Sequence, residues 1–181
     1  MKVGTKSLLF GIHQVIWHPI VVLRAWIYLY GWPNFKELVC IVIHDWGYAG
    51  KPNLDGPEGE NHPVFGAKLA GRVFGKEWFY FCLLHSRTMA RKVGQEPSKL
   101  CWADKLSFCF EPRWFYLTRA KLSGEIKEIF FAGIQSGLIK EEMNLHQWHQ
   151  LMYQDELFIP EIQAILTSSE FNKRHKLGGN I

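Results

Sequence analysis

"CIVIHDWGYAGKPNLDGPEGENHPVFGAKLAG", residues 40–71, places His44 and Asp45 directly after four apolar residues that point towards a protein core. The apolar run predicts a helix that ends close to this polar pair. The residues that follow are rich in Gly and Pro, which predicts a loop without regular structure. His62 then stands just before Pro63, a residue suited to the first turn of a helix. The stretch therefore predicts two helices, joined by a loop, whose facing ends carry polar side chains.

The remainder of the chain also has helical periodicity, because apolar residues recur at three- and four-residue spacing. No segment alternates apolar and polar residues over the length of a strand, so the predicted fold class is all-α. The predicted helices cover residues 18–30, 34–45, 63–74, 76–89, 97–110, 114–122, 125–131 and 145–158, with Asn144 as an N-cap and Pro160 as a stop. We expect one domain over residues 1–170 and a basic, mobile tail over 171–181.

Composition limits the functions that are compatible with this chain. Of its 181 residues 48% are hydrophobic, which is enough for one sizeable core, and the formal net charge is +4. This mild positive charge suits a small phosphorylated substrate better than duplex nucleic acid. Four cysteines without a CxxC pair predict free, buried thiols in a cytoplasmic protein. Polar residues interrupt the longest uncharged stretch, so we expect neither a membrane span nor a signal peptide. The sequence is compatible with a homo-oligomer.

Several titratable residues occupy positions that the helical pattern places near the core. Burying a charged group or an imidazole costs a free energy of roughly several kcal/mol, unless the group is paired or bound to a metal ion. Imidazole and carboxylate together are the donors that divalent transition metals such as Mn, Fe, Ni, Co and Zn accept. The residues concerned are His18, His44, Asp45, His62, His85 and Asp104. They predict a site for one or two metal ions.

The order of these residues resembles that of the HD-domain superfamily of metal-dependent phosphohydrolases. "H18…HD(44–45)…D104" is similar to its ligand pattern, and "HDWGYAGKP…LDGPEGENHPVFGAKL" looks like the HD-GYP branch, where a Gly-rich loop leads to a His-Pro. "LLHSRTMARK" and "SKLCWADKLS" resemble the segments that carry the next His and the final Asp of that branch. The resemblance covers residues 13–110 and implies an HD helical bundle of about five core helices, extended by further helices over residues 111–170.

The resemblance also implies a division of the ligands between two ions. His18, His44, Asp45 and Asp104 would hold the first ion, whereas His62 and His85 would hold the second, with Asp45 bridging both. The chain departs from the branch in three ways: Tyr48 replaces a Lys, the Tyr-Pro signature is absent, and an upstream Glu ligand has no match. Cyclic di-GMP hydrolysis is therefore not implied. His13 is the nearest upstream polar residue, either as a ligand or in a packing or substrate-contacting role.

The implied activity is hydrolysis of a nucleotide or related small phosphate ester by an activated water. Asp45 would act at the metal site, and Arg87, two residues after His85, would bind phosphate through its guanidinium fork. Lys51, in the Gly- and Pro-rich loop, is the other cation that we assign to the site. Further candidates are the cations Arg91, Lys92, Lys105 and Arg119, and the loop acids Asp55, Glu58 and Glu60.

Two other functions stay open at this point. The scaffold is also used by di-iron oxygenases with extra histidines, and the same six residues suit iron. A non-catalytic nucleotide-binding module would keep the fold and lose the chemistry. Compact HD proteins from bacteria and their phages resemble this chain in size.

Overall fold

A computed structural model describes residues 1–135, 137 and 143–174, apart from the side chain of residue 170. This part of the chain is helical and contains no β-strand, which confirms the all-α prediction. Its helices are α1 (Val3–Phe10), α2 (Trp17–Tyr30), α3 (Phe35–Ile43), α4 (Pro63–Phe74), α5 (Lys76–Leu83), α6 (Arg87–Val93), α7 (Lys99–Ser107), α8 (Arg113–Ser123), α9 (Glu125–Gln135), α10 (Leu145–Leu157), α11 (Pro160–Thr167) and α12 (Ser169–Arg174). Short 3-10 turns cover Trp46–Tyr48, Gly59–Asn61 and Phe108–Phe110.

The main core is formed by helices α2 to α7 together with α11. α2 packs against α3 and α7, and α4 packs against α5. Val22, Trp26, Ile41 and Leu100 are almost completely buried at the centre of this core. A smaller core around Trp148 joins α8, α9 and α10. α10 also contacts α7 and the turn Phe108–Phe110, so the C-terminal helices lie beside the main core.

Local signals explain where most of these helices begin and end. Asn34 and Asn144 form capping boxes, in which the side chain accepts backbone N–H bonds at the start of α3 and α10. Pro63 occupies the first turn of α4, as the sequence predicts. Gly75 ends α4 with a φ of 97°, a conformation that an L-residue with a side chain rarely adopts.

The predicted helix over residues 76–89 is wrong, because the chain forms two helices there. α5 ends at Leu83, and α6 begins after Ser86, whose hydroxyl accepts a hydrogen bond from the backbone N–H of Met89. Ser86 is therefore an N-cap that the continuous apolar pattern concealed. His85 lies in the turn between the two helices rather than late in one helix.

Other differences concern the two ends of the chain. α1 was not predicted, since its eight residues show little separation of polar and apolar positions. Pro160 is the first residue of α11 and not only a stop after α10. Of the predicted tail 171–181, residues 171–174 belong to α12, and the guanidinium of Arg174 donates to the backbone carbonyl of Tyr30. Residues 175–181 lie outside the described residues.

Two predictions from composition can be compared with the structure. Cys40, Cys82 and Cys101 are buried and Cys109 is partly buried, and all four are free thiols, as expected. Among the described helices none is both long enough and apolar enough to cross a bilayer.

Candidate metal centre

Six titratable side chains from five parts of the chain meet at one point beside the main core. His18 is the second residue of α2, and Asp104 lies in the middle of α7, the helix packed against α2. His44 and Asp45 follow the last residue of α3. The two remaining members, His62 and His85, lie in turns before α4 and α6. We call these six residues the ligand cluster.

The first group in this cluster contains His18, His44, Asp45 and Asp104. The Nε2 atom of His18 lies 3.1 Å from Asp45 Oδ2 and 3.1 Å from Asp104 Oδ1. The Nε2 atom of His44 lies 3.3 Å from that of His18, 3.2 Å from Asp45 Oδ2 and 3.7 Å from Asp104 Oδ1. Two nitrogen and two oxygen atoms therefore converge on a common point.

The second group contains His62, His85 and the other oxygen of Asp45. The Nε2 atoms of His62 and His85 lie 3.1 Å apart, and each is 3.4 Å from Asp45 Oδ1. Asp45 consequently presents one carboxylate oxygen to each group. All ligand atoms within each group lie within 4.8 Å of one another.

Backbone carbonyls fix the orientation of three imidazole rings. The Nδ1–H of His44 donates to the carbonyl of Ile41 at 2.8 Å. The same pattern, a bond to the residue three positions earlier, joins His62 to Gly59 at 2.8 Å and His85 to Cys82 at 2.6 Å. When the proton is on Nδ1, the Nε2 atom of a neutral ring has a free lone pair that points into the cluster. Such bonds to the remote ring nitrogen are typical of histidines that ligate metals.

The facing lone pairs explain why the cluster fits a metal ion. Two neutral Nε2 atoms at 3.1 Å, as in His62 and His85, cannot donate to one another and repel unless a proton or a cation lies between them. Donor atoms at about 2.0–2.2 Å from a shared transition-metal ion lie roughly 2.8–3.6 Å apart at octahedral to tetrahedral angles. The distances in both groups fall in or close to this range. The donor set, the ring orientation and the spacing therefore all fit divalent transition metals.

The pKa shifts of the cluster residues also fit a metal site. Burial lowers the pKa of His44, but Asp45 and Asp104 outweigh this effect and raise the pKa well above 6.5. Burial raises the pKa of Asp45, but the surrounding histidines hold it well below 3.8. Burial lowers the pKa of His62 to about 3, so that this ring is neutral at physiological pH. A cation that binds here would displace protons from His18 and His44, which makes metal binding dependent on pH.

Two further side chains lie against the ligand cluster. The Nε2 atom of His13 is 4.0 Å from Asp45 Oδ2, while its Nδ1 atom is 2.9 Å from the hydroxyl of Ser7. Its position therefore suits contact with a substrate or a bound water more directly than the ligand positions of the first group. Tyr48, the second of these side chains, stacks on His62 with the ring centroids 4.0 Å apart. This stacking is a packing role that a Lys would not provide.

Close backbone contacts hold the turns that carry these ligands. A Cβ atom at Gly47 would lie 1.9 Å from the carbonyl oxygen of His62, so the turn after α3 touches the backbone of the second group directly. A Cβ atom at Gly66 would lie 2.7 Å from the carbonyl oxygen of Ile43, where α4 crosses the end of α3. Glycine at these two positions permits the approach that brings His44 and His62 together.

The ligand cluster opens into a cavity of about 970 Å³, large enough for a nucleotide-sized molecule. Arg87 and Lys105 both line it, and each is a close neighbour in sequence of a cluster member. Arg87 is exposed at the start of α6, whereas Lys105 is partly buried on α7. Apolar side chains cover another part of the wall: Ile12, Leu54, Trp102, Phe108, Tyr116, Ile129 and Met152.

The structure does not bring Lys51 to this cavity. Its backbone carbonyl accepts a hydrogen bond from Gly4 on α1, and its side chain is not part of the cavity wall. Lys51 is near His44 in sequence, but the intervening 3-10 turn directs the loop towards α1. Of the other candidates Arg91, Asp55 and Glu60 line the cavity, whereas Lys92 forms an exposed ion pair with Glu60 at 3.0 Å. Glu58 is exposed and bonds to Asn53.

A second buried polar group, which sequence reasoning missed, lies around the backbone of Gly11 and Ile12. The backbone N–H of Ile12 donates to both carboxylate oxygens of Glu125, at 3.2 and 3.1 Å. The guanidinium of Arg119 donates to the carbonyl of Ile12 at 3.1 Å and forms a buried ion pair with Glu111. We call Glu111, Arg119 and Glu125 the anchor cluster. It fixes the segment that leads to His13, and it gives Arg119 a structural role instead of a phosphate-binding one.

In comparisons with known proteins, no family model, no curated protein and no solved structure matches this chain.

Proposed function

We propose that this protein is a metal-dependent phosphohydrolase of the HD type that acts on a nucleotide or related small phosphate ester. The observation that carries the proposal is the position of Asp45. One of its carboxylate oxygens faces His18, His44 and Asp104, and the other faces His62 and His85. This arrangement beside a nucleotide-sized cavity suits a site for one or two ions acting on phosphate.

Each part of the site has a role in such a reaction. A divalent ion held by the ligand cluster would supply Lewis acidity and an activated water at neutral pH. Arg87, on the cavity wall, binds the phosphate of the substrate through two parallel N–H bonds. Lys105, next to Asp104 in the chain, adds a second positive charge on the same wall. The ring of His13, held by Ser7, orients a water or a phosphate oxygen beside Asp45.

The mixed charge of the cavity agrees with a small substrate. Asp55, Glu60, Glu96 and Asp155 line it in addition to the cations. These acidic side chains repel the continuous phosphate backbone of a nucleic acid, whereas a compact ester needs only the few cations near the metal ions. Duplex nucleic acid is therefore not part of the proposal.

A metal-substitution assay tests the proposal. The purified chain is freed of metal, loaded in turn with Mn, Fe, Co, Ni or Zn, and incubated with a panel of nucleotides and simple phosphate esters while released phosphate is measured. We expect hydrolysis with at least one metal and none from the metal-free protein or from Asp45→Ala. Equal hydrolysis by the metal-free protein would disprove a metal-dependent mechanism.

A di-iron oxygenase is the second candidate, because the paired donor groups that share Asp45 suit two iron ions equally well. The same assay separates the two functions. An oxygenase loaded with iron absorbs in the visible range and consumes O₂, whereas a phosphohydrolase releases phosphate under anaerobic conditions. A protein that binds metal and nucleotide but does neither would be the non-catalytic module.

A further inference from the structure

Glu156, on α10, is a buried acidic side chain that the proposed chemistry does not use. The residue is 8% exposed, and it lines the same cavity as the ligand cluster. Its Oε2 atom is buried without a hydrogen-bond partner. An unpartnered buried carboxylate oxygen is costly, and where it borders a cavity a bound molecule can supply the missing donor.

Glu156 lines the same cavity as Arg87 and Lys105, the two cations that we propose to bind phosphate. Its carboxylate is the strongest cause of the raised pKa of Lys105. Burial raises the pKa of Glu156 itself, and Lys105 and Arg87 act against this shift. α10 contacts α7, the helix that carries Lys105 and the cluster member Asp104. Glu156 therefore lies on the wall where the phosphate of a substrate would bind.

This position restricts the part of the substrate that could reach Glu156. An ionised carboxylate only accepts hydrogen bonds, so it would repel a phosphate oxygen and needs a donor. The donor must also reach Glu156 while the phosphate binds elsewhere in the same cavity, which Glu156, Arg87 and Lys105 all line. A hydroxyl group on the alcohol portion of the ester meets both conditions. Asp55 also lines the cavity, but it is exposed and can be satisfied by water.

We propose that Glu156 is a specificity-determining residue that selects phosphate esters with a hydroxyl group near the ester bond, as in a sugar phosphate or a nucleotide. This inference rests on the proposed phosphohydrolase function and names its substrate class. The hydroxyl donates to the free carboxylate oxygen, while Arg87 and Lys105 hold the phosphate beside the ligand cluster. A site built to bind a hydroxyl rejects an analogue that lacks it, because the carboxylate then stays unpaired.

Matched pairs of esters test this selection. One pair is glycerol phosphate and propyl phosphate, and the other is adenosine monophosphate and its 2′,3′-dideoxy analogue. We expect the metal-loaded protein to prefer the hydroxylated member of at least one pair by about 10-fold or more in kcat/KM. Glu156→Gln, which keeps an acceptor oxygen but loses the charge, should reduce this preference, measured as the ratio of kcat/KM within each pair. Preference in the glycerol pair alone indicates a polyol, and preference in the nucleotide pair alone indicates a ribose.

Controls distinguish selection from a general loss of structure. Glu77→Gln makes the same charge change at an exposed position on α5 and should keep the preference of the parent. Glu156→Asp, which shortens the side chain by one methylene, serves if Glu156→Gln does not fold, and it should reduce the preference. The inference is wrong if the parent discriminates within neither pair, or if the Glu156 variants keep the discrimination. If no ester is hydrolysed, the proposed function is wrong. The role of Glu156 is then tested by calorimetry, which compares the dissociation constants of the two members of each pair in the parent and in the Glu156 variants.

Discussion

The ligand cluster and the anchor cluster are both buried, both contain charged side chains, and both join distant parts of the chain, yet their hydrogen-bonding potential differs. In the anchor cluster acceptors meet donors: Glu125 accepts from the backbone of Ile12, and Arg119 donates to Glu111 and to a carbonyl. In the second group of the ligand cluster an acceptor meets an acceptor, because the Nε2 atoms of His62 and His85 face each other. A buried cluster in which every donor has an acceptor stabilises the fold. A cluster in which acceptors face one another is suited to a ligand that supplies the missing positive charge or donor.

This contrast predicts that substitutions in the two clusters affect different measurable properties. Changes in the ligand cluster should alter metal content and leave the helical fold in place. Changes in the anchor cluster should lower the free energy of unfolding and leave the number of bound ions unchanged.

The largest effect on metal content is expected for Asp45→Ala. Because Asp45 contributes an oxygen to both groups, its loss should remove both ions, as measured by elemental analysis of the purified protein. Circular dichroism should show an unchanged helix content. The control Asp155→Ala, an exposed carboxylate on α10, should keep the metal. Full metal content in Asp45→Ala would refute the assignment of the ligand cluster.

Loss of one of the two ions is expected for His62→Ala and for His85→Ala. Both residues belong to the second group only, so the four donors of the first group stay intact. Elemental analysis should therefore approach one ion per chain, whereas the exposed control His146→Ala should match the parent. If the parent and both variants bind the same amount of metal, His62 and His85 are structural and the centre is mononuclear.

Arg119→Met should destabilise the fold instead. Breaking a buried ion pair by removing one partner costs roughly 3–5 kcal/mol, because the other charge stays buried without compensation. Denaturant unfolding of the metal-loaded protein should show this loss, while the number of bound ions stays the same. Lys121→Met, an exposed change on the same helix, should shift stability by less than about 0.5 kcal/mol. A metal-depleted but stable Arg119→Met protein would contradict the distinction between the clusters.

The anchor cluster should also make stability depend on pH. Burial raises the pKa of Glu125 from 4.5 to about 7. Between these values the unfolded chain releases a proton that the folded chain retains, so the unfolding free energy falls as the pH rises from 4.5 to about 7. The shift corresponds to about 3 kcal/mol. Glu125→Gln should remove this part of the slope in denaturant melts across the range, and an unchanged slope would show that Glu125 is ionised throughout.

The smallest effect is expected at the cavity wall. Arg87→Ala should lower kcat/KM for the best phosphate ester by about 10- to 100-fold without loss of metal or stability. Arg87→Lys should recover only part of the rate, because an ammonium group cannot form the two parallel bonds. Arg72→Ala, an exposed Arg on α4, is the control. An unchanged rate in Arg87→Ala would place the phosphate elsewhere on the wall.

Local signals in the sequence explain how much could be predicted. The boundaries of α3 and α4 follow from Asn34 and Pro63, which act on the first turn of their own helices. The members of the ligand cluster could be recognised one by one, because a titratable side chain in an otherwise apolar helical position requires a partner. The resemblance implies that Asp45 bridges two ions, which stays a prediction; in the structure Asp45 belongs to both groups of donor atoms.

The features that were missed depend on contacts between distant residues. The carboxylate of Glu125 binds a backbone N–H 113 positions away, and nothing near Glu125 in the sequence indicates this partner. Lys51 is close to His44 along the chain but does not line the cavity, whereas Lys105 reaches the cavity because α7 packs against α2. Ser86 carries a local signal, the N-cap preference, but the apolar periodicity continues across it.

The close approach of Gly47 to His62 has a consequence for the mutational tolerance of this chain. A side chain at position 47 would overlap the carbonyl oxygen of His62, and at position 66 it would press against the carbonyl of Ile43. Neither glycine offers a ligand atom, yet any replacement moves the backbone next to a residue of the ligand cluster. In a library of variants selected for activity, positions 47 and 66 should therefore accept as few substitutions as the ligands themselves, while exposed neighbours such as Trp46 vary freely.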